Sequence, residues 1–368
     1  MQSSNNLPRN VLCLFNSTRK WGGGEQWHLS ISDYFVKKNC NVFLFARKNG
    51  DLFAKASLIS GLPIIPVKIR SLSFLNIFKV LRLAILFKKL RVYTIVLNLP
   101  SDAKAGGLAA KLAGVKHIIY RRGSAIPIKN SLINRLLFRY IITGVIANSQ
   151  ETKRTILLKN KNLIKEHKIT VIYNGINITE TKINLTNSVN NCFIIGNAGR
   201  LEKQKAQKHL IDLAVILQNR NLNFEIRIAG QGTLKSMLEA YALEKNVQSV
   251  VKFTGFTNDM PQFLSELDIF VLTSEWEGFG YVIAEAGASS LPVLAFNVSS
   301  NPELIIDNQT GFLISPFDLN ALADKIDYLY NNPSEVVRMG ENARNFVLSN
   351  FNQPQIFNQL SSYFSALE

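Results

Sequence analysis

The chain is poor in several residue types that carry distinctive chemistry. Its 368 residues include only 3 cysteines, Cys13, Cys40 and Cys192, far apart and without a Cys-x-x-Cys pair. That excludes a disulfide scaffold or a zinc ribbon and fits a reducing compartment. The 4 histidines, His28, His117, His167 and His209, do not stand at metal-ligand spacing, so no bound metal is expected. Uncharged apolar runs of about 18 residues are missing, and with them any membrane-spanning helix. Residues Met1–Asn6 are polar and lack the apolar stretch of a secretory leader, so a soluble cytoplasmic protein is expected. Acidic residues are scarce as well: 26 Asp and Glu face 42 Lys and Arg, a net charge of +16.

What is present is apolar and uneven in charge. The chain is 47% apolar with 23 phenylalanines, enough for large cores, and its length suggests two domains of about 150 residues or more, or one unusually large one. Disordered, collagen-like and coiled-coil classes are excluded. Residues 1–185 hold 30 basic and 7 acidic side chains, whereas residues 186–368 hold 12 and 19. Such a cationic first half attracts an anionic partner: a nucleic acid, an anionic membrane leaflet or a phosphorylated substrate.

Short β-branched and aromatic runs alternate with amphipathic segments. Strands are expected at 11–16, 41–46, 93–98, 117–121, 144–148 and 169–173, with helices between them at 25–38, 51–60, 73–90, 104–114, 131–141 and 149–160. The runs are continuously apolar, which is the pattern of parallel strands clothed on both faces by helices. Residues 177–191 are polar and aperiodic and read as a linker. The alternation then resumes, with strands at 192–198, 224–229, 250–254, 269–273, 292–296 and 311–314 and helices between and after them. Two successive βα series mean two doubly wound domains: 1–180, and 190–350, with a last helix at about 353–368 that packs back on the first.

Three segments carry chemistry. Thr273-Ser-Glu-Trp-Glu277-Gly278-Phe279-Gly280-Tyr-Val-Ile-Ala-Glu285 follows a strand and opens a helix. It lies where open α/β sheets bind ligands. Its glycines allow close backbone approach, and the amides at the helix start suit a phosphate. Glu277 and Glu285 are acceptor-only groups, suited to the hydroxyls of a sugar and a ribose. Gly199-Arg200-Leu-Glu-Lys-Gln-Lys205 lies at the same edge of the same domain, and a guanidinium plus an ammonium there suit a diphosphate. The third segment, Gly22-Gly23-Gly24-Glu25, sits between the first strand and first helix. It is neither a Walker loop nor G-x-G-x-x-G.

The order of GGxE, the strand ending Ala-Asn-Ser149, YNGIN at 173–177, GRLEKQK at 199–205, AGQG at 229–232, FTGF at 253–256 and the E-x7-E segment resembles glycosyltransferase family 4 over nearly the whole chain. These are retaining enzymes of the GT-B fold, in which two Rossmann-like doubly wound domains face each other across a cleft and a nucleotide-sugar, such as a UDP- or GDP-sugar, is the donor. The resemblance implies that Arg200 and Lys205 clamp the diphosphate without a metal. It implies that Glu277 touches the donor sugar and the amides at Gly278, Phe279 and Gly280 its phosphates, and that Glu285 holds the ribose. Gly23 and Gly24 would approach the phosphate from the first domain, and Phe253 would lie near the base. A surface-polysaccharide precursor, lipid-linked or part of a lipopolysaccharide or capsule, is the implied acceptor, bound by the first domain.

The sequence departs from its relatives at two places. Arg122 stands where many carry a sugar-contacting His. An arginine keeps its charge and cannot shuttle a proton, so Arg121 and Arg122 are candidates for an anionic group on the acceptor or donor. Ser290-Leu-Pro292 and Ser299-Ser-Asn-Pro302 replace glycine-containing turns, which bears on donor-sugar specificity. Segments 68–91 and 129–139 mix Phe, Leu and Ile with Lys and Arg, as an amphipathic helix on an anionic membrane does. The expectation is an enzyme peripherally attached to the inner face of the cytoplasmic membrane. No nucleic-acid reading element is recognisable. A GT-B epimerase or phosphorylase and an inactive binding scaffold fit the residues less well.

Overall fold

The computed structural model describes residue 7 and residues 10–177 and 192–368. The stretch 177–191 lies outside the described residues except for its first position. The chain divides into two compact units, the first running to Gly175 and completed by Pro354–Glu368, the second spanning Ile176–Gln353.

In the first unit the strands are β1 (Leu12–Asn16), β2 (Val42–Ala46), β3 (Ile64–Pro66), β4 (Thr94–Leu97), β5 (His117–Arg122), β6 (Gly144–Ala147) and β7 (Ile169–Val171). The helices between them are α1 (Gly23–Lys37), α2 (Asp51–Ala56), α3 (Ile77–Lys89), α4 (Pro100–Leu112), α5 (Leu132–Tyr140) and α6 (Gln150–Leu158). All strand pairs are parallel, in the order β3-β2-β1-β4-β5-β6-β7. Successive residues of a strand point to opposite faces, and β1 shows the consequence. Leu12 and Leu14 enter one buried cluster, with Trp27, Ile31 and Phe35 of α1, while Cys13 and Phe15 enter another, with Val80 and Phe87 of α3.

The second unit repeats the scheme. Its strands are β8 (Phe193–Ala198), β9 (Phe224–Ala229), β10 (Val251–Gly255), β11 (Ile269–Leu272), β12 (Val293–Phe296) and β13 (Gly311–Ile314). They pair in parallel in the order β10-β9-β8-β11-β12-β13. Its helices are α7 (Lys208–Asn219), α8 (Lys235–Glu244), α9 (Met260–Ser265), α10 (Tyr281–Ala288), α11 (Leu319–Asn331) and α12 (Pro333–Phe351). A last helix, α13 (Gln353–Ser365), places Ile356, Phe357, Leu360 and Phe364 in the same cluster as Trp27 and Phe35 of the first unit. Both units are doubly wound α/β sheets whose strand order reverses between a central pair: β1 and β4 in one, β8 and β11 in the other.

Three local features differ from the sequence reading. The helix expected at 25–38 begins two residues earlier, with Gly22 as its N-cap, so Gly23 and Gly24 form its first turn. The segment 73–90 is interrupted: Asn76 caps α3 by accepting from the Lys79 amide, and only a single 3-10 turn, Ser73–Leu75, precedes it. The edge strand β3 was not expected. Three residues ending in proline are too short for a periodicity to show, and pairing with Leu44–Ala46 of β2 is what holds them extended.

Candidate active site

In the second unit, the loops that follow β8 and β11 are laced together where strand order reverses. The Gln204 side-chain amide donates to the Trp276 carbonyl at 2.8 Å, and the Glu275 amide donates to the Gln204 carbonyl at 2.9 Å. Thr273 Oγ1 donates to the carbonyls of Lys205 and Ala206. At the centre, Lys205 Nζ lies 2.6 Å from Glu277 Oε1, with the two side chains only 13% and 7% exposed. Two charges withdrawn this far from water persist when each compensates the other. The loop after β12 joins them, since Ser300 Oγ donates to the Glu277 carbonyl.

The loop after β9 closes on the same place. The Leu201 amide donates to Gln231, and Leu234 donates back to Leu201. A Cβ on Gly230 would lie 1.8 Å from the Gly199 carbonyl oxygen, and one on Gly232 would lie 2.2 Å from that of Leu201. The glycines of AGQG are therefore needed for backbone to touch backbone. Several buried polar atoms around this point, Asn197 Oδ1, Gln207 Oε1, Ser274 Oγ and Asn301 Oδ1, have no hydrogen-bond partner among the described residues. Buried polar groups are nearly always paired; Asn197, Gln207 and Asn301 do spend their amide nitrogens on the carbonyls of Val271, Arg200 and Phe296.

The remaining expected residues of this unit fall around that centre. Arg200 is exposed, its Nη2 3.4 Å from Gln204 Oε1. Gly280 takes the left-handed conformation, φ 65°, as N-cap of α10. Glu285 is half-buried one turn into that helix. Phe279 differs in kind, because its ring is 2% exposed and packs on Tyr281 and Phe351. Its ring belongs to the core rather than to a ligand surface. Phe253 is half-buried on the edge strand β10, two strands from the reversal. Ser290 and Ser299, in the turns where the resemblance implies glycine, adopt φ of 59° and 47°. They retain the glycine-like backbone at a cost of roughly 1 kcal/mol each.

At the reversal in the first unit, between β1 and β4, lies a buried polar cluster. Asn16 Nδ2 donates to Glu25 at 2.9 Å. Ser17 donates to Asp102 through both its hydroxyl, at 2.5 Å, and its amide, and the Leu99 amide donates to the same carboxyl. Burial pushes the Asp102 carboxyl up to about 7 against the lowering effect of these bonds. Burial raises Glu25 as well. His28 lies with Nδ1 2.8 Å from the Gly24 carbonyl, and burial together with Arg121 drives its pKa down to about 3, so the ring is neutral.

Adjacent arginines part company here. Arg121 is 2% exposed, lies 4.6 Å from the Trp27 ring centre, and donates to Asn98 at 3.2 Å and Asn174 at 2.9 Å. Arg122 points to the other face and donates to the Ile126 carbonyl and to Tyr120. A Cβ on Gly24 would come within 2.8 Å of Asn98 Nδ2, so the triglycine turn packs closely on the residue that Arg121 holds.

Asp102 has a measurable consequence. Its folded pKa stands above the ordinary 3.8, so the native state keeps a proton that the unfolded chain releases as pH rises. Stability is therefore expected to fall between about pH 4 and 7, by at most roughly 1.4 kcal/mol per pH unit. Urea midpoints at pH 5 and pH 8 should differ less in Asp102→Asn than in the wild type, and equal differences in both would contradict the assignment.

Among the described residues, no group of three or more His, Cys, Asp or Glu is placed to hold a metal, and no helix is long and apolar enough to cross a membrane.

Comparison with known proteins gives this arrangement a family. Residues 21–180 match the profile of glycosyltransferase family 4, and residues 179–346 match that of glycosyl transferases group 1. The chain is 27% identical over 354 residues to the capsular polysaccharide biosynthesis glycosyltransferase CapM of Staphylococcus aureus, covering 90% of this chain and 92% of that one. It is 28% identical over 312 residues to an Escherichia coli UDP-Gal:alpha-D-GlcNAc-diphosphoundecaprenol alpha-1,3-galactosyltransferase, with 78% and 79% covered. Its fold is similar to that of HepE of Anabaena, solved with UDP and glucose, at a TM-score of 0.82 and 22% identity over 97% of this chain and 100% of that one. With two parallel, doubly wound units and sequence matches that together span residues 21–346, the chain belongs to the group 1, family 4 glycosyltransferases and has their GT-B fold.

Proposed function

We propose that this glycosyltransferase moves a sugar from a UDP- or GDP-sugar to a lipid-linked or surface-polysaccharide acceptor, of the lipopolysaccharide or capsule kind, with retention and without a metal. The observation that carries the reading is the enclosed Lys205–Glu277 pair at the strand reversal of the second unit. A cation and an acceptor-only carboxylate fixed 2.6 Å apart can address neighbouring parts of one ligand, the ammonium a phosphate and the carboxylate a sugar hydroxyl. Arg200 adds an exposed guanidinium, the amides from Gly278 to Gly280 add uncharged donors at the start of α10, and Glu285 holds the ribose. Gly23 and Gly24, which open α1, are assigned to the donor's phosphate, and Phe253 to its base.

In the reaction so assigned, the bond from the anomeric carbon to the donor phosphate breaks and its electron pair leaves with the nucleoside diphosphate. The acceptor hydroxyl bonds to the same face of that carbon, and its proton passes to the departing phosphate oxygen. Arg200 and Lys205 stabilise the charge that develops there, where fixed cations in a water-poor site act strongly. Arg122 is assigned to an anionic group of the acceptor. The enclosed Arg121 instead holds Asn98 and Asn174 in place under the triglycine turn. The names of CapM and of the Escherichia coli enzyme, whose acceptor is a diphosphoundecaprenol, support this class of acceptor. The cationic first half supports attachment at the inner face of an anionic membrane.

Thermal melting with a panel of UDP- and GDP-sugars tests the donor. A cognate donor at 100 times its Kd should add about 2.7 kcal/mol, and no shift with any nucleotide would refute the reading.

A further inference from the structure

The first unit leaves a run of apolar side chains uncovered on α3 and the turn before it. Phe78 is 83% exposed, Ile85 69%, and Leu72 and Leu75 each 68%. The opposite side of the same helix already supplies Val80, Leu83, Ala84 and Phe87 to the core. A surface helix needs one apolar stripe, and α3 has two. Arg82, Lys88 and Lys89 are exposed beside the outer one. The pattern repeats on α5, where Leu132 is 69% and Leu136 47% exposed next to exposed Arg135 and Arg139. Both helices lie against α4 and feed the same core cluster.

The charge around these faces is of one sign to an unusual degree. From residue 52 to residue 150 the chain has sixteen Lys and Arg and a single carboxyl, Asp102. That carboxyl is fully buried, so the whole stretch presents no anion to solvent. Singly exposed leucines are ordinary, whereas apolar side chains grouped among cations mark an interface. A nucleic acid would use the cations but leave the aliphatic groups without a function. An anionic bilayer uses both: apolar side chains enter the boundary between headgroups and acyl chains, and Lys and Arg stems reach back to the phosphates.

We propose that the outer face of α3 with the turn at 72–75 is the surface by which the first unit inserts into an anionic bilayer, with the outer face of α5 alongside. This deepens the membrane placement above, which rested on charge and on the mixed composition of segments 68–91 and 129–139, by naming the apolar side chains that the fold leaves exposed for insertion.

The test uses the full chain and two vesicle compositions, phosphatidylcholine alone and phosphatidylcholine with about one-third phosphatidylglycerol. The wild type should co-sediment with the second, bind the first much less, and weaken with added salt. The double variant Phe78→Ser and Ile85→Ser should lose about tenfold or more in apparent affinity. Leu58→Ser, at a residue 86% exposed just beyond α2, should lose none. Unchanged binding by the double variant, or equal binding to both vesicles, overturns the proposal. So does an absence of vesicle binding, whether the double substitution abolishes self-association, pointing to a second copy of the chain, or the wild type retains only duplex DNA. Nucleotide-induced thermal shifts, measured on the same preparations, report the donor reading separately: they should persist in the double variant, and their absence from the wild type would fault that reading instead.

Discussion

Lys205→Ala is expected to lower turnover by about a thousandfold, the scale seen when a fixed charge or donor is taken from the place where charge develops. The same substitution strands Glu277, which is 7% exposed and whose Oε1 lies 2.6 Å from the ammonium. Breaking a buried pair this way costs up to about 3–5 kcal/mol of stability, so lost activity alone would not separate catalysis from folding. The double substitution Lys205→Ala with Glu277→Gln makes the separation. Removing the orphaned charge should return the melting midpoint toward the wild type while turnover stays low. Near-native turnover in Lys205→Ala would show that the ammonium does not act on the leaving group. Arg200→Ala, at an exposed residue, should leave the midpoint alone and still lower turnover by orders of magnitude.

Gly230→Ala is the second large effect, and it acts through the backbone. Its Cβ would lie 1.8 Å from the Gly199 carbonyl oxygen, and neither the end of β9 nor the start of the Gly199–Lys205 loop can yield without breaking the bonds that join Leu201 to Gln231 and Leu234. Overpacking of well-fitted atoms costs about 1–3 kcal/mol and more where backbone must separate. A comparison isolates the cause: Gly255 has φ 78° with nothing within 4 Å of a built Cβ, so Gly255→Ala should cost only the left-handed backbone, about 1–2 kcal/mol. Urea midpoints of the two variants give the contrast, and donor-induced thermal shifts should vanish in Gly230→Ala alone. Equal effects would mean that the contact of Gly230 with Gly199 is not what holds the loop.

Much of this was legible without coordinates. Runs such as Val-Leu-Cys-Leu-Phe and Ile-Phe-Val-Leu are apolar at every position, and only a strand buried on both faces has use for that, so the parallel sheets followed. Gly-rich and charged segments stood out at strand ends, and the fold brings those of the second unit together at one strand reversal. Edge strand β3 was not legible because three residues carry no period. Nor was the start of α1, because glycine is neutral about entering a helix at its first turn.

What the sequence by itself determined is the fold, the family and the identity of the chemistry-bearing loops, because these rest on local patterns and on residue types at fixed spacing. Only the tertiary structure decided which of those residues meet. It paired Lys205 with Glu277 across 72 positions and enclosed Arg121 while turning Arg122 away. It buried the ring of Phe279 and gathered Ser17 and Leu99 around the carboxyl of Asp102. It also divided the +16 charge: the stretch from 52 to 150 shows no acid to solvent because its single carboxyl is folded inside. Composition records how many charges a chain has; only burial and the direction of each side chain settle which of them solvent, substrate or a membrane will meet.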